Sequence, residues 1–254
     1  MEWLLSTWEI NLIHFKMKKI CIFCFFALIF IGNFSVWGQR RGPLMNLEHF
    51  DEKPLQWGYY FGSNTFDFKF NYNDLNYGTP TIREIRTVRN WGFNVGLSGS
   101  MRLMKYLDLR LEPGLVYNKR DLHFPGMNEK RDYLREVKST YIYIPLLVKF
   151  SSERWHNVKP YLTAGASMAI NLSSNYNLNI DNYERIFRTQ RSVFFYEMGI
   201  GIDLYTPFFR LSPSIRGLFS INNELIPDGN ASSPWTGNLG KIKSRGFLIN
   251  LTFE

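Results

Sequence analysis

Residues 89–117 form two consecutive segments in which apolar and polar residues alternate, with only residues 104–105 between them. Side chains of a β-strand point to alternate faces, so each segment has one apolar face and one polar face. In the second segment the polar face carries Asp108, Arg110 and Glu112, which do not fit a dry core. The pattern is typical of a membrane barrel whose apolar face meets lipid. A soluble sandwich with its charged face towards water also fits locally, so repetition along the chain must decide.

The alternation recurs in five further segments at residues 141–150, 162–172, 194–204, 209–221 and 247–254. An eighth segment, residues 57–68, completes an even number of strands. Its alternation changes near Ser63. The apolar residues before this point, Trp57, Tyr59 and Phe61, have odd numbers, whereas Phe66, Phe68 and Phe70 have even numbers and would face the other side. We expect a β-bulge at Ser63 to restore the register and to turn these phenylalanines outward.

The predicted connections alternate between short and long. They are short at 104–105, 151–157 and 206–207, and long at 71–88, 119–138, 173–190 and 222–243. Short periplasmic turns and long external loops are typical of outer-membrane barrels. A charge facing lipid at the midplane costs roughly 2–4 kcal/mol, and the predicted outward faces carry none. The sequence therefore predicts an all-β, eight-stranded, antiparallel up-and-down transmembrane β-barrel in the outer membrane, with a soluble all-β protein as the alternative.

The N-terminal part of the chain reads as an export signal. Lys18 and Lys19 precede an apolar run at 20–31, and small residues follow up to Gly38. This arrangement is typical of a secretory signal peptide. We predict an extension and cleaved signal at residues 1–38, with the signal proper at 17–38, a periplasmic leader at 39–56 and the barrel at 57–254. Both cysteines lie in the signal, so the mature chain would contain no disulfide.

An eight-stranded barrel has an interior that side chains can fill, so we predict a filled lumen and not a porin channel. Nine charged residues of the strands fall on the inward parity, five basic and four acidic. A nearly neutral ionic network with a structural role is the favoured interpretation. The predicted interior network comprises Arg102, Asp108, Arg110, Glu112, Lys149, Glu197, Asp203, Arg210 and Arg216.

A second set of basic residues lies where the strands enter the long loops. A basic rim there would meet anionic lipopolysaccharide, although solvation of loop residues explains the same pattern. Nucleic acid is a poor partner for an exported barrel. The predicted rim comprises Arg86, Arg89, Lys119, Arg120, Arg188, Arg191, Lys241 and Lys243.

Recognisable catalytic and metal-binding motifs are absent from the sequence. The histidines of the mature chain, His49, His123 and His156, fall in the leader, a long loop and a short turn. No helical metal motif, phosphate-binding loop or nucleophile elbow is present. We therefore predict no enzyme activity and no cofactor. A lipid hydrolase or acyltransferase that uses His123 and a loop serine is the enzymatic alternative.

Three runs, YIYIPLLVK at 141–149, PYLTAGAS at 160–167 and GIGID at 199–203, resemble the small outer-membrane β-barrel family that is abundant in Bacteroidota. The runs NLEHFDEKP at 46–54 and WGYYFGSNTFDFKF at 57–70 resemble the PorT family. This resemblance implies a non-enzymatic component of type IX protein secretion and gliding motility. It would dock to other secretion-system proteins through the leader at 39–56 or the external loops. A surface adhesin or structural anchor that uses its long loops is the alternative.

Overall fold

The computed structural model describes residues 45–72, 85–124, 134–174, 187–227, 235–237 and 239–254. The predicted signal at 1–38, the first part of the leader and the central parts of the long loops lie outside these residues. The described chain belongs to one compact unit, Met45–Glu254. Among the described residues no helix is both long and apolar enough to cross a membrane.

A short 3-10 helix at Phe50–Glu52 precedes ten β-segments. Alternating apolar residues, many of them β-branched or aromatic, favour these strands. The segments are β1 (Leu55–Tyr72), β2 (Arg86–Arg89), β3 (Trp91–Met104), β4 (Leu107–Leu111), β5 (Gly114–His123), β6 (Leu134–Ser151), β7 (Val158–Asn171), β8 (Ser192–Tyr205), β9 (Arg210–Ser220) and β10 (Leu239–Phe253).

Two strands of the wall are each divided into two segments. β4 and β5 keep one register across the break at Pro113, because Leu111 lies opposite Gly99 and Gly114 lies opposite Gly96. Proline has no N–H to donate to the ladder, which explains the interruption. β2 and β3 are joined through Asn90 with a shift of one residue in their pairing to β5, as in a β-bulge. The ten segments therefore form eight strands.

The eight strands close into a ring. β1 pairs antiparallel with β10 on one side and with β3 on the other, and each later strand pairs with the strand that follows it in sequence. The prediction of an eight-stranded antiparallel up-and-down barrel is confirmed. Closure leaves no sheet edge in the lipid, where unpaired backbone groups would be costly.

Exposure alternates along most of the strands, with apolar side chains outside in the membrane belt and polar, aromatic or aliphatic side chains inside. On β7 the outward apolar side chains run from Val158 to Ile170. At about 3.3 Å per residue and a tilt of about 40°, this run spans roughly 30 Å along the membrane normal. The length fits the hydrocarbon core of a bilayer.

The expected bulge at Ser63 is wrong. β1 keeps one register with β10 from Tyr59 to Asn71, and Phe66 and Phe68 point inward with 3% exposure each. Asp67 therefore lies on the outer surface, where the prediction placed no charge. The external half of the lumen is mainly apolar, so phenylalanines on the inward parity pack there without a bulge.

The strands also extend further outward than the sequence indicated. β5 continues to His123 and β6 begins at Leu134, so the paired region includes residues that we had assigned to a loop. Their polar outward side chains do not suit lipid, but the backbone ladder continues above the apolar belt. The turns at the other end are short, as predicted.

Candidate functional site

The periplasmic half of the lumen is filled by ion pairs that begin at Lys149 and Asp203. Lys149 Nζ lies 2.6 Å from the Asp203 carboxylate, and Ser212 donates a hydrogen bond to the same group at 2.6 Å. Arg210 approaches Asp203 at 3.8 Å. All four side chains are almost fully buried. Lys149 and Asp203 come from β6 and β8, on either side of β7, so the pair connects strands that do not share backbone hydrogen bonds.

The final residue of the chain links two arginines of this network. The Glu254 carboxylate accepts a hydrogen bond from Arg110 at 2.6 Å, bonds to the Arg210 guanidinium, and accepts from Ser98 at 3.1 Å. Its backbone also pairs with Arg210. Glu254 is not among the predicted interior residues. The signal was present, since Glu254 shares the inward parity of Asn250 and Thr252.

The middle of the lumen continues the network. Arg110 lies 3.1 Å from Glu112, and Arg216 lies 2.6 Å from Glu112 and 3.4 Å from Glu197. Tyr143 donates a hydrogen bond to Glu197 at 2.7 Å. Four asparagines, which are hydrogen-bonded to one another in part, occupy the next level: Asn64, Asn94, Asn118 and Asn250.

The buried network is electrically balanced. In the described residues its basic members are Arg110, Lys149, Arg210 and Arg216, and its acidic members are Glu112, Glu197, Asp203 and Glu254. A buried charge without a partner would cost several kcal/mol, so balance is a requirement for this lumen. Two predicted members, Arg102 and Asp108, lie at the periplasmic end and are only partly buried.

The described part of the leader folds back over the periplasmic end of the barrel. Asp51 accepts a hydrogen bond from Tyr205 at 2.6 Å and lies 3.6 Å from both Lys159 and Arg210. Arg102 donates to the Asp51 carbonyl oxygen. The Arg210 guanidinium stacks over the Phe50 ring at 4.8 Å. These contacts extend the ion pairs of the lumen into the leader.

One arginine of a periplasmic turn binds the start of the described leader. Arg154 donates to the backbone oxygens of Asn46 and Leu47, and its guanidinium stacks on the Tyr205 ring at 3.7 Å. The Asn46 side chain donates to the Tyr205 carbonyl at 3.0 Å. The leader is therefore attached to the turn after β6 and to the end of β8, and we name residues 45–54 the leader cap.

The external half of the lumen is mainly apolar, with a few buried charged side chains among its apolar residues. One cluster of buried side chains occupies the level above the asparagines, and a second fills the external mouth. The second cluster comprises Phe68, Leu122, Phe124, Val137, Phe187, Leu225, Trp235, Leu239 and Ile242. Together with the ion pairs and the leader cap, these side chains fill the described lumen from one end to the other.

Arg120 does not lie on the rim, where the sequence analysis placed it. Its side chain is fully buried and stacks on the Phe68 ring at 3.8 Å, with hydrogen bonds to Ser139, Tyr141 and Ser244 at 2.9–3.0 Å. Arg120 follows the inward parity of β5, which continues past the predicted strand end. The prediction failed because the strand end was placed too early.

Glu224 faces Arg120 across Ser244. This carboxylate lies in the connection between β9 and β10 and accepts hydrogen bonds from the Ser244 N–H and hydroxyl at 2.8 and 2.9 Å. Burial raises the pKa of Glu224 above its ordinary value, and the positive charge of Arg120 opposes that rise. The pair places charge in an external mouth that also holds the buried guanidinium of Arg135, stacked over the Trp235 ring at 4.8 Å.

The other predicted rim residues are placed as follows. Arg188 is largely buried and donates to the Pro227 carbonyl, so it too is not exposed on the rim. Lys119 is partly exposed and pairs with Asp121 and Glu136. Exposed or partly exposed positions near the external strand ends are held by Arg86, Arg89, Arg191, Lys241 and Lys243.

The described histidines do not converge. His49 pairs with Glu52 in the leader cap, His123 lies opposite Arg86 at the external end of β5, and His156 lies in a periplasmic turn. Among the described residues no group of three His, Cys, Asp or Glu side chains could hold a metal ion.

A family model provides the classification of this barrel. The model described as an outer membrane protein beta-barrel domain matches residues 37–225, about three quarters of the chain. The chain belongs to this family. Membership and the closed barrel together locate the protein in the outer membrane, with lipid around its apolar belt. No curated protein matches the sequence.

Solved structures with a similar fold are distant in sequence. Neisserial surface protein A is 12% identical, with a TM-score of 0.42, 79% of this chain covered and 98% of that chain. OprG from Pseudomonas aeruginosa is 11% identical, with a TM-score of 0.45 and coverages of 78% and 92%. Ail of Yersinia pestis, solved with the heparin analogue sucrose octasulfate, is 13% identical, with a TM-score of 0.34 and coverages of 78% and 96%. Likenesses this distant carry no conclusion about function.

Proposed function

We propose that this protein is a non-enzymatic outer-membrane component of a type IX protein secretion and gliding system, and that it acts by docking to other secretion-system proteins. The observation that supports this most is the filled lumen. Ion pairs, apolar clusters and the leader cap occupy the described interior. A barrel whose described lumen is occupied by side chains works through its surfaces, and the resemblance of residues 46–70 to the PorT family favours secretion as the process served.

The periplasmic face offers a defined docking surface. The polar groups of Asn46 and Asp51 bind the barrel, while Glu48, His49 and Glu52 of the same leader cap are exposed. A segment fixed at both attachment points presents these side chains in one arrangement, which reduces the entropy lost on binding. A periplasmic partner with a basic surface would complement the two glutamates.

Two aromatic side chains extend the same face. Trp155 is 76% exposed in the turn between β6 and β7, and Phe208 is 89% exposed in the turn between β8 and β9. Exposed aromatic residues are typical of the membrane interface and of binding hot spots alike. In the proposed role they contact the lipid interface or the edge of a docked partner.

Deletion of the gene, followed by mass spectrometry of the secreted proteins, tests the secretion role. A broad loss of secreted proteins is the expected result, and wild-type protein restores it. The variant Glu48→Lys/Glu52→Lys should restore secretion poorly, because it reverses the charge of the exposed leader cap. Arg86→Glu, an exposed change at the other end of the barrel, is the matched control and should restore secretion fully.

An adhesin or structural anchor is the second candidate, favoured by the four external connections between strands. Unchanged secretion with altered adhesion after deletion would support that candidate and contradict the secretion role. Lipopolysaccharide around the external rim is a proposed partner in either case, because the membrane location does not depend on which candidate is correct.

A further inference from the structure

The outer surface of β1 and β10 carries a ladder of cations immediately above the apolar belt. On β10, Arg245, Lys243 and Lys241 occupy alternate outward positions beyond Phe247, the last outward apolar residue. Alternate residues of a tilted strand are separated by about 5 Å along the membrane normal. The ladder therefore begins at the boundary between acyl chains and headgroups and continues outward.

Two lysines of this surface, one on each strand, occupy directly opposed positions. Lys69 of β1 lies directly opposite Lys243 of β10, and among the described residues neither is close enough to an acidic group to form an ion pair. Like charges in directly opposed positions destabilise a strand pair. An anion bound between the two ammonium groups would remove that repulsion.

Closer to the membrane, at the level of Asp67 and Arg245, the net charge of the surface is smaller but still positive. Asp67 lies opposite Arg245 and accepts hydrogen bonds from its guanidinium at 3.1 and 2.7 Å, and Arg89 reaches the same oxygen at 3.0 Å. Both arginines remain about half exposed. The surface as a whole has five cations, Lys69, Arg89, Lys241, Lys243 and Arg245, and one carboxylate, Asp67.

The neighbouring strands β5 and β6 lack this excess. There the outward lysines Lys119 and Lys138 both contact Glu136, at 3.2 and 3.8 Å, and Lys119 also contacts Asp121 at 3.5 Å. Within the described residues, the cationic excess is thus larger on the β10–β1–β2 side than on β5 and β6. General solubility of loop ends does not explain such an asymmetry.

A cavity of about 220 Å³ lies below the ladder. Asp67, Arg89 and Arg245 form its polar side, while Phe219 and Phe247 form its apolar side. A molecule that fits both sides carries an anionic headgroup and an acyl chain. Phosphate is the headgroup chemistry that paired guanidinium and ammonium groups bind best.

We propose that this surface is a binding site for a phosphorylated glycolipid of the outer leaflet. Its phosphates would lie between Lys69 and Lys243 and beside the exposed faces of Arg89 and Arg245, with an acyl chain against Phe219 and Phe247. The site is one-sided and so fixes a lipid at a defined position on the barrel. It depends on the outer-membrane location and not on the secretion role, so either proposal can fail without the other.

Purified full-length protein in detergent micelles tests the site, with binding of lipid A measured by native mass spectrometry. The probes are lipid A with both phosphates, lipid A with the phosphates removed, and inorganic phosphate. Wild-type protein should prefer the phosphorylated form by at least about 10-fold. Lys69→Gln/Lys243→Gln should weaken its binding by on the order of 10- to 30-fold, since each lysine near a charged lipid surface contributes roughly 1 kcal/mol.

Lys119→Gln/Lys138→Gln is the matched control, because it removes two outward lysines at a similar level that already have acidic partners. It should leave lipid A binding within about twofold of wild type, and heat-modifiable electrophoretic mobility should show that both variants are folded. Equal affinity for the two lipid forms, or equal losses in the two variants, would overturn the site. Displacement of lipid A by millimolar inorganic phosphate would assign the site to a soluble anion and overturn the lipid assignment.

Discussion

The substitution Glu254→Gln removes the negative charge of the last residue and leaves its size and shape nearly unchanged. In the wild-type chain this carboxylate is shared by Arg110 and Arg210 and accepts a hydrogen bond from Ser98. The amide keeps the volume but leaves four buried cations with three buried anions. Arg210 then retains two carboxylate partners, Asp203 at 3.8 Å and Asp51 of the leader cap at 3.6 Å, and its hydrogen bond to Gln56.

The expected loss in the free energy of unfolding is about 3–5 kcal/mol, the usual cost of removing one partner of a buried ion pair. With a urea dependence of roughly 2 kcal/mol per molar, the unfolding midpoint should fall by about 2 M. Tryptophan fluorescence of the protein refolded into lipid vesicles, followed in both the unfolding and the refolding direction, measures this shift.

Glu153→Gln is the matched control, because Glu153 pairs with Lys105 in fully exposed turns and its loss should leave the midpoint unchanged. The double variant Glu254→Gln/Arg110→Gln restores neutrality and should lose less than the sum of its single variants. An unchanged midpoint in Glu254→Gln, or strictly additive losses in the double variant, would refute the claim that the lumen depends on charge balance.

Three further predictions concern the external mouth and the wall. Arg120→Gln should lower the free energy of unfolding by about 2–4 kcal/mol, since it removes a buried stacking contact and three hydrogen bonds. In the same urea assay the exposed change Arg86→Gln should alter the free energy of unfolding by less than about 0.5 kcal/mol. Gly165→Val should prevent correct folding, because a Cβ at this position would lie 2.1 Å from the Leu146 carbonyl oxygen. Gly217→Val should fold, because the nearest atom to its Cβ belongs to the Phe219 ring and lies 3.5 Å away. Electrophoretic mobility measures both outcomes. Because the pKa of Glu224 is raised by burial, its protonated form favours folding, and that contribution is complete below the ordinary carboxyl pKa of about 4.3 and is lost as the pH rises through the raised value. The stability of wild type relative to Glu224→Gln should therefore decrease above that pH, and a constant difference in urea midpoints would contradict it.

Strand number and the membrane-facing surface could be predicted from the sequence because both depend on a period of two. Residues such as Val95 and Leu97, or Ile200 and Ile202, identify an outward face without knowledge of any partner strand. The same parity rule includes Glu254, which was missed because it was treated as a terminus and not as the last inward position of β10.

Features that depend on distant parts of the chain could not be predicted. Phe66 and Phe68 are correctly placed only if the external half of the lumen is known to be mainly apolar, which requires β5, β6 and β8 together. Arg120 belongs to the interior because β5 pairs with β6 beyond the predicted strand end. The leader cap is held by residues more than a hundred positions away, and no local pattern in Asn46 or Asp51 indicates those partners.

A planar-bilayer recording from purified full-length protein tests the central claim that the barrel is filled. The ion pairs around Arg110 and Arg216, the external apolar cluster and the leader cap predict a flat current with no stable conductance steps. Stable steps of large conductance, from protein that is folded and free of other barrels, would show an open path through the lumen and would contradict the account.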